Sequence, residues 1–130
     1  MKEKLITLIF VLISTASFAQ NSSEAPVQNI STDNEAIYRL FSTRNMYTFI
    51  KLDTRNGKMW QVQWNLENQY RFETTLSDTS RVMKDEEKKG RFFLYPTTNI
   101  YNFILLDQID GRMWQVQWGT GENKVVTPIY

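Results

Sequence analysis

The chain has 130 residues, a formal net charge of +1, no histidine and no cysteine. The missing imidazoles and thiols exclude histidine-based triads, thiol nucleophiles and zinc sites built on either group. The nearly neutral charge balance excludes the basic footprint of a protein that binds nucleic acid or an anionic membrane.

The chain opens MKEKLITLIFVLISTASFAQ. Lys2 and Lys4 give a positive start, Leu5 to Ile13 is apolar, and Ser17-Phe18-Ala19 is a small-x-small cleavage site. Residues 1–19 therefore read as a secretory signal peptide, which sends the chain to the periplasm or outside the cell. The apolar run is too short for a membrane span, which needs roughly 20 apolar residues. Without Lys2, Glu3 and Lys4 the formal charge is zero. Residues 20–36 are polar and aperiodic, and read as a disordered leader.

Residues 37–76 form a first β repeat. Tyr38–Trp64 aligns without a gap with Phe92–Trp118, and more than half of the aligned residues are identical, MWQVQW among them. A repeat of this length builds one supersecondary unit twice. Alternation of period two, with many β-branched and aromatic residues, predicts strands over 37–42, 46–53, 58–64 and 69–76. Asn56-Gly57 marks a hairpin. A three-residue turn with Gly57 left-handed would pair Leu52 with Trp60, Ile50 with Val62 and Thr48 with Trp64. That register gathers the apolar side chains on one face, whereas a slip of one residue would turn them to water.

Residues 77–90 are charged and read as a solvated linker. Residues 91–130 are the second repeat, with strands expected over 91–96, 100–107, 112–118 and 123–129 and a hairpin at Asp110-Gly111. Pro96 and Pro128 have no N–H to give a ladder, which assigns the strands carrying them to sheet edges.

The expected fold is all-β. It is one domain of two tandem four-stranded antiparallel meanders related by a pseudo-two-fold axis, packed as a sandwich or a closed barrel. Ile50, Leu52, Trp60, Val62 and Trp64 are expected to share a core with Ile104, Leu106, Trp114, Val116 and Trp118. The opposite faces carry Tyr47, Phe49, Gln61 and Gln63, and again Tyr101, Phe103, Gln115 and Gln117. Such a surface is too aromatic to be plainly solvated. It suits either a second packing layer or a binding face, where rings cover the apolar sides of a sugar and amides bond its hydroxyls.

Other chemistry is sparse. Asp53 and Asp107 are repeat equivalents at strand ends. Glycoside hydrolysis needs two carboxylates in unequal environments, and equivalent residues start out equal. Capping of the following turn by each side chain is the favoured role. DTRNGK and DQIDGR depart from a calcium loop at Arg55 and Ile109 and lack the later glutamate, so no metal site and no cofactor is expected. The leading expectation is a non-catalytic exported module binding a protein or a carbohydrate. The alternative is a structural protein that self-associates into a dimer or ring, and a small carboxylate-dependent hydrolase comes third.

FIKLDTRNGKMWQVQW and FILLDQIDGRMWQVQW share the pattern LDxxxGxMWQVQW. Through it, residues 38–130 resemble a family of short exported two-repeat β proteins of Gram-negative bacteria. The resemblance implies export and no activity. A weaker similarity is to the blades of quinoprotein-type propellers, which place Gly four residues after Asp and then Trp. Here Trp60 follows Gly57 one residue too early for that pattern.

Overall fold

The alternating runs fold as strands. The structure is a computed structural model that describes residues 33–130, so the signal peptide and most of the leader expected over 1–36 lie outside the described residues. The first repeat gives β1 (Tyr38–Ser42), β2 (Thr48–Asp53), β3 (Met59–Gln63) and β4 (Phe72–Ser77). The second gives β5 (Phe92–Pro96), β6 (Asn102–Asp107), β7 (Met113–Gln117) and β8 (Val125–Ile129). Each set is an antiparallel meander in sequence order, so there are two open four-stranded sheets forming a sandwich and no closed barrel. Pro96 and Pro128 lie on the edge strands β5 and β8, where an absent N–H leaves no ladder bond unmade. Among the described residues no helix is long and apolar enough to cross a membrane.

Short side chains build the turns in the same way twice. Between β1 and β2 the Thr43 hydroxyl donates to the Thr48 carbonyl and accepts from the Asn45 amide, while Asn45 Oδ1 accepts from the Tyr47 amide. Thr97, Asn99, Asn102 and Tyr101 repeat these bonds between β5 and β6. This accounts for the identity of Thr43 and Asn45 with Thr97 and Asn99, while Tyr47 and Tyr101 pack their rings on Trp64 and Trp118.

The hairpin register differs from the expected one. Leu52 faces Met59, Ile50 faces Gln61 and Thr48 faces Gln63, because the turn holds four residues. The Asp53 amide bonds the Lys58 carbonyl and the Gly57 amide bonds the Asp53 carbonyl, closing Thr54–Gly57 as the loop. Gly57 is left-handed as expected, at φ 82°. The fourth loop residue moves Trp60 and Val62 off the face of Ile50 and Leu52.

The core follows from that shift. The first sheet contributes Phe41, Ile50, Leu52, Met59 and Leu76. The second contributes Phe92, Leu94, Phe103, Leu105, Trp114, Val116 and Trp118. Ile50, Leu52, Trp114, Val116 and Trp118 are thus core as expected. Trp60, Val62, Ile104 and Leu106 are only partly buried, and Trp64 is exposed. Equivalent positions therefore face opposite ways, and the sheets stack front to back. A pseudo-two-fold axis would have buried the same face of each.

Thr54, wholly buried, joins the sheets. Its hydroxyl donates to the Ala36 and Ile37 carbonyls and accepts from the Gly90 amide, and its carbonyl accepts from the Phe92 amide at 2.8 Å. Residues 77–90 are more than a solvated linker. The Arg81 amide bonds the Asn56 carbonyl, Asn56 Nδ2 donates to Glu87, and Val82 packs on the core. This strap lies over the first hairpin, so a Cβ at Gly57 would come 2.9 Å from Arg81 Cγ and 3.3 Å from Phe92, whereas one at Gly111 meets nothing within 4 Å. Both glycines have positive φ, so an alanine at either is strained by about 1–2 kcal/mol. Gly57→Ala is expected to lower the urea midpoint further than Gly111→Ala, and equal shifts would show that the strap yields freely.

Candidate functional site

Both strand-end carboxylates are engaged where they stand. Asp53 Oδ1 accepts the Arg55 amide, and its two oxygens take Arg55 Nε at 3.1 Å and Nη2 at 2.9 Å. The arrangement holds the Arg55 guanidinium protonated, its pKa raised first by the hydrogen bond to Asp53 and then by that residue's charge. Asp107 Oδ1 accepts the Ile109 and Asp110 amides, and the carboxylate is clasped by Arg91 through Nε at 3.0 Å and Nη2 at 2.9 Å. Burial alone would raise the Asp107 pKa, but the hydrogen bonds from Arg91, Ile109 and Asp110 hold it below the usual carboxylate range. Both aspartates thus cap their turns. Their arginine partners come from different places, because Arg91 replaces Ile37 and Ile109 replaces Arg55 between the repeats.

The eight residues expected to form one binding face do not share one. Gln61 and Phe103 are buried between the sheets, where Gln61 Oε1 accepts the Gly119 amide at 3.2 Å. Phe49 is half-buried on the outer face of the first sheet, and Gln115 is exposed on the outer face of the second, bonded to Asn102. Tyr47 and Gln63 lie near the end of the first sheet, with Tyr47 against Trp64 and Gln63 bonded to the Tyr70 carbonyl. The one-residue change of register separates them.

Tyr101 and Gln117 do come together, in a cleft of about 610 Å³ at the end of the sandwich. One wall is Arg44 and Asn45 from the β1–β2 turn. The other is Ile100 and Tyr101 from the β5–β6 turn, with Gln117, Trp118 and Gly119 at the end of β7 and Asn123 beyond. Tyr101 leans on Trp118 at 5.1 Å between ring centroids, and the Trp118 indole donates to the Ile100 carbonyl, which fixes the wall. Gln117 Nε2 donates to the Asn123 carbonyl, leaving its amide oxygen as an acceptor.

Arg44 is the cleft residue that composition and periodicity passed over. Its Nε is buried without a hydrogen-bond partner, and it makes no ion pair among the described residues. The repeat itself held a signal, since the aligned partner of Arg44 is Thr98 and the arginine is particular to the first turn. An arginine fork beside an aromatic ring and amides can hold a planar anion by two bonds. No cluster of acidic residues suited to a metal ion occurs among the described residues. Compared with protein-family models, with curated proteins and with solved structures, the chain matches none.

Proposed function

We propose that the protein is a non-catalytic binding module that holds a small acidic saccharide in the cleft between its sheets. The observation that carries this reading is the unpartnered Arg44 Nε beside the half-exposed Tyr101 ring. An arginine that lines the cleft with no ion pair among the described residues would gain a charge-assisted bond, about 1.5–3 kcal/mol, from a ligand carboxylate. Tyr101 offers a face for the apolar side of a sugar ring, Gln117 offers its amide oxygen and Asn45 its amide Nδ2 to the hydroxyls. The cleft lies within the roughly 300–1,000 Å³ range of small-molecule sites. Exposed strand residues alone give no such convergence of charge, ring and amide.

The test is isothermal titration of the purified chain with galacturonic acid oligomers and with their neutral galactose counterparts. Binding of the acidic series is expected, and Arg44→Ala is expected to weaken it by about tenfold or more, the size of a lost charge-assisted bond. Equal binding of neutral and acidic sugars, or an Arg44→Ala variant that binds as well as the parent, would remove the reading.

A further inference from the structure

A sheet has two faces, and here the two repeats spend opposite ones. The first sheet buries Phe41, Ile50, Leu52, Met59 and Gln61. The second leaves the equivalent positions outside as Tyr95, Ile104, Leu106, Met113 and Gln115, with Met113 39% and Tyr95 42% exposed. Conversely, the second sheet buries Leu94, Phe103, Trp114 and Val116, whose equivalents Leu40, Phe49, Trp60 and Val62 lie on the outer face of the first. Leu40 is 51% exposed where Leu94 is wholly buried. Each outer face thus repeats the chemistry of a face that is already matched inside the molecule. The two are complementary in the way the two inner faces are.

We propose that these outer faces bind each other between copies of the chain, the back of the second sheet in one copy seating the front of the first sheet in the next. The occupant is a second copy because the interface already exists once within the chain. Two further observations fit it. The Gly57 hairpin is covered by Phe92 and Leu105 of the following sheet, while the equivalent Gly111 hairpin has nothing within 4 Å of its Cβ direction. Gln61 reaches across the sandwich to the Gly119 amide, while its equivalent Gln115 stands exposed, and the residue equivalent to Gly119 is Asn65 of the first repeat.

Front-to-back contacts are heterologous and give a ring when the rotation closes. Radial rings of four-stranded sheets hold about four to eight sheets, which corresponds to about two to four copies. One difference sets the strength of the contact. The front face carries the Lys51–Glu73 ion pair, with Lys51 4.9 Å above the Trp60 ring, where the inner interface has Leu105 and Val126. Covering that pair costs desolvation, so the contact between copies is the weaker of the two and depends on concentration.

Sedimentation velocity of the purified chain over a dilution series tests this. The parent is expected to sediment at two to four times its monomer mass and to fall to the monomer on dilution. Leu40→Glu spoils the front and Met113→Glu the back. Each alone is expected to be monomeric with an unchanged far-UV circular dichroism spectrum, and their equimolar mixture to form a one-to-one dimer and nothing larger. Should either charged variant fail to fold, Leu40→Ser and Met113→Ser serve the same comparison. A parent that stays monomeric at every concentration overturns the proposal. So does a single variant that still associates, or a mixture that forms no dimer.

Discussion

Asp107→Ala is expected to lower the free energy of unfolding by about 3–5 kcal/mol, the cost of removing one partner from a buried ion pair. Asp107 is wholly buried and Arg91 is 7% exposed, so the variant leaves a buried guanidinium with only the Glu86 carbonyl and the more distant Asp110 carboxylate, at 3.6 Å, to hold it. It also frees the Ile109 and Asp110 amides that the carboxylate caps. Asp53→Ala is expected to cost less, because the Arg55 side chain is one-third exposed and can rehydrate. The pH dependence has a definite sign. The folded pKa of Asp107 lies below its unfolded value, so the pair contributes in full above the ordinary carboxylate range. That contribution is lost as pH falls through the lowered folded value. Urea unfolding followed from pH 7 into the acid range should therefore show a shallower acid loss in Asp107→Ala than in the parent. Matching acid limbs would assign the acid sensitivity to other carboxylates.

Trp114→Ala is expected to cost about 3–5 kcal/mol, as for a large aromatic removed from a packed core. Trp60→Ala, at the same place in the other repeat, is expected to cost about 1 kcal/mol, the centre of the range for ordinary substitutions. Trp114 lies between the sheets against Phe92, with the guanidiniums of Arg81 and Arg112 within 5.6 Å and 5.3 Å of its ring. Trp60 lies on the outer face, edge-on to Tyr38. The comparison is made by urea denaturation at low concentration, so that the contacts proposed between copies would add nothing to the Trp60 value. Equal costs for the two tryptophans would mean that the sheets bury the same face.

Much of the fold was legible because its signals are local. Period-two alternation located all eight strands, and Pro96 and Pro128 located two edges, since a missing N–H is a property of the residue itself. The capping role of Asp53 and Asp107 was legible for the same reason, because an aspartate before a tight turn bonds amides two residues on. The cleft was half legible. Tyr101 and Gln117 stand out as aromatic and amide, but Trp118 reads wholly as core, and Arg44 reads alone as one more surface charge. The cleft exists because two turns from different repeats end side by side, and nothing near Arg44 in the chain announces Tyr101.

The sequence by itself determined the two meanders, their strand order, the left-handed Gly57 and the absence of imidazole and thiol chemistry. Each of these depends on neighbouring residues or on composition. Only the tertiary structure decided which face of each sheet is inside. The four-residue loop at Thr54–Gly57 sets the register, and Thr54 ties that loop to Ile37 and to the start of β5. The second sheet is thereby laid on the first front to back. Two copies of one sequence offer the same pair of faces, and local pattern is blind to which of them the other will cover. Identical MWQVQW strands therefore bury tryptophan in one sheet and methionine and glutamine in the other.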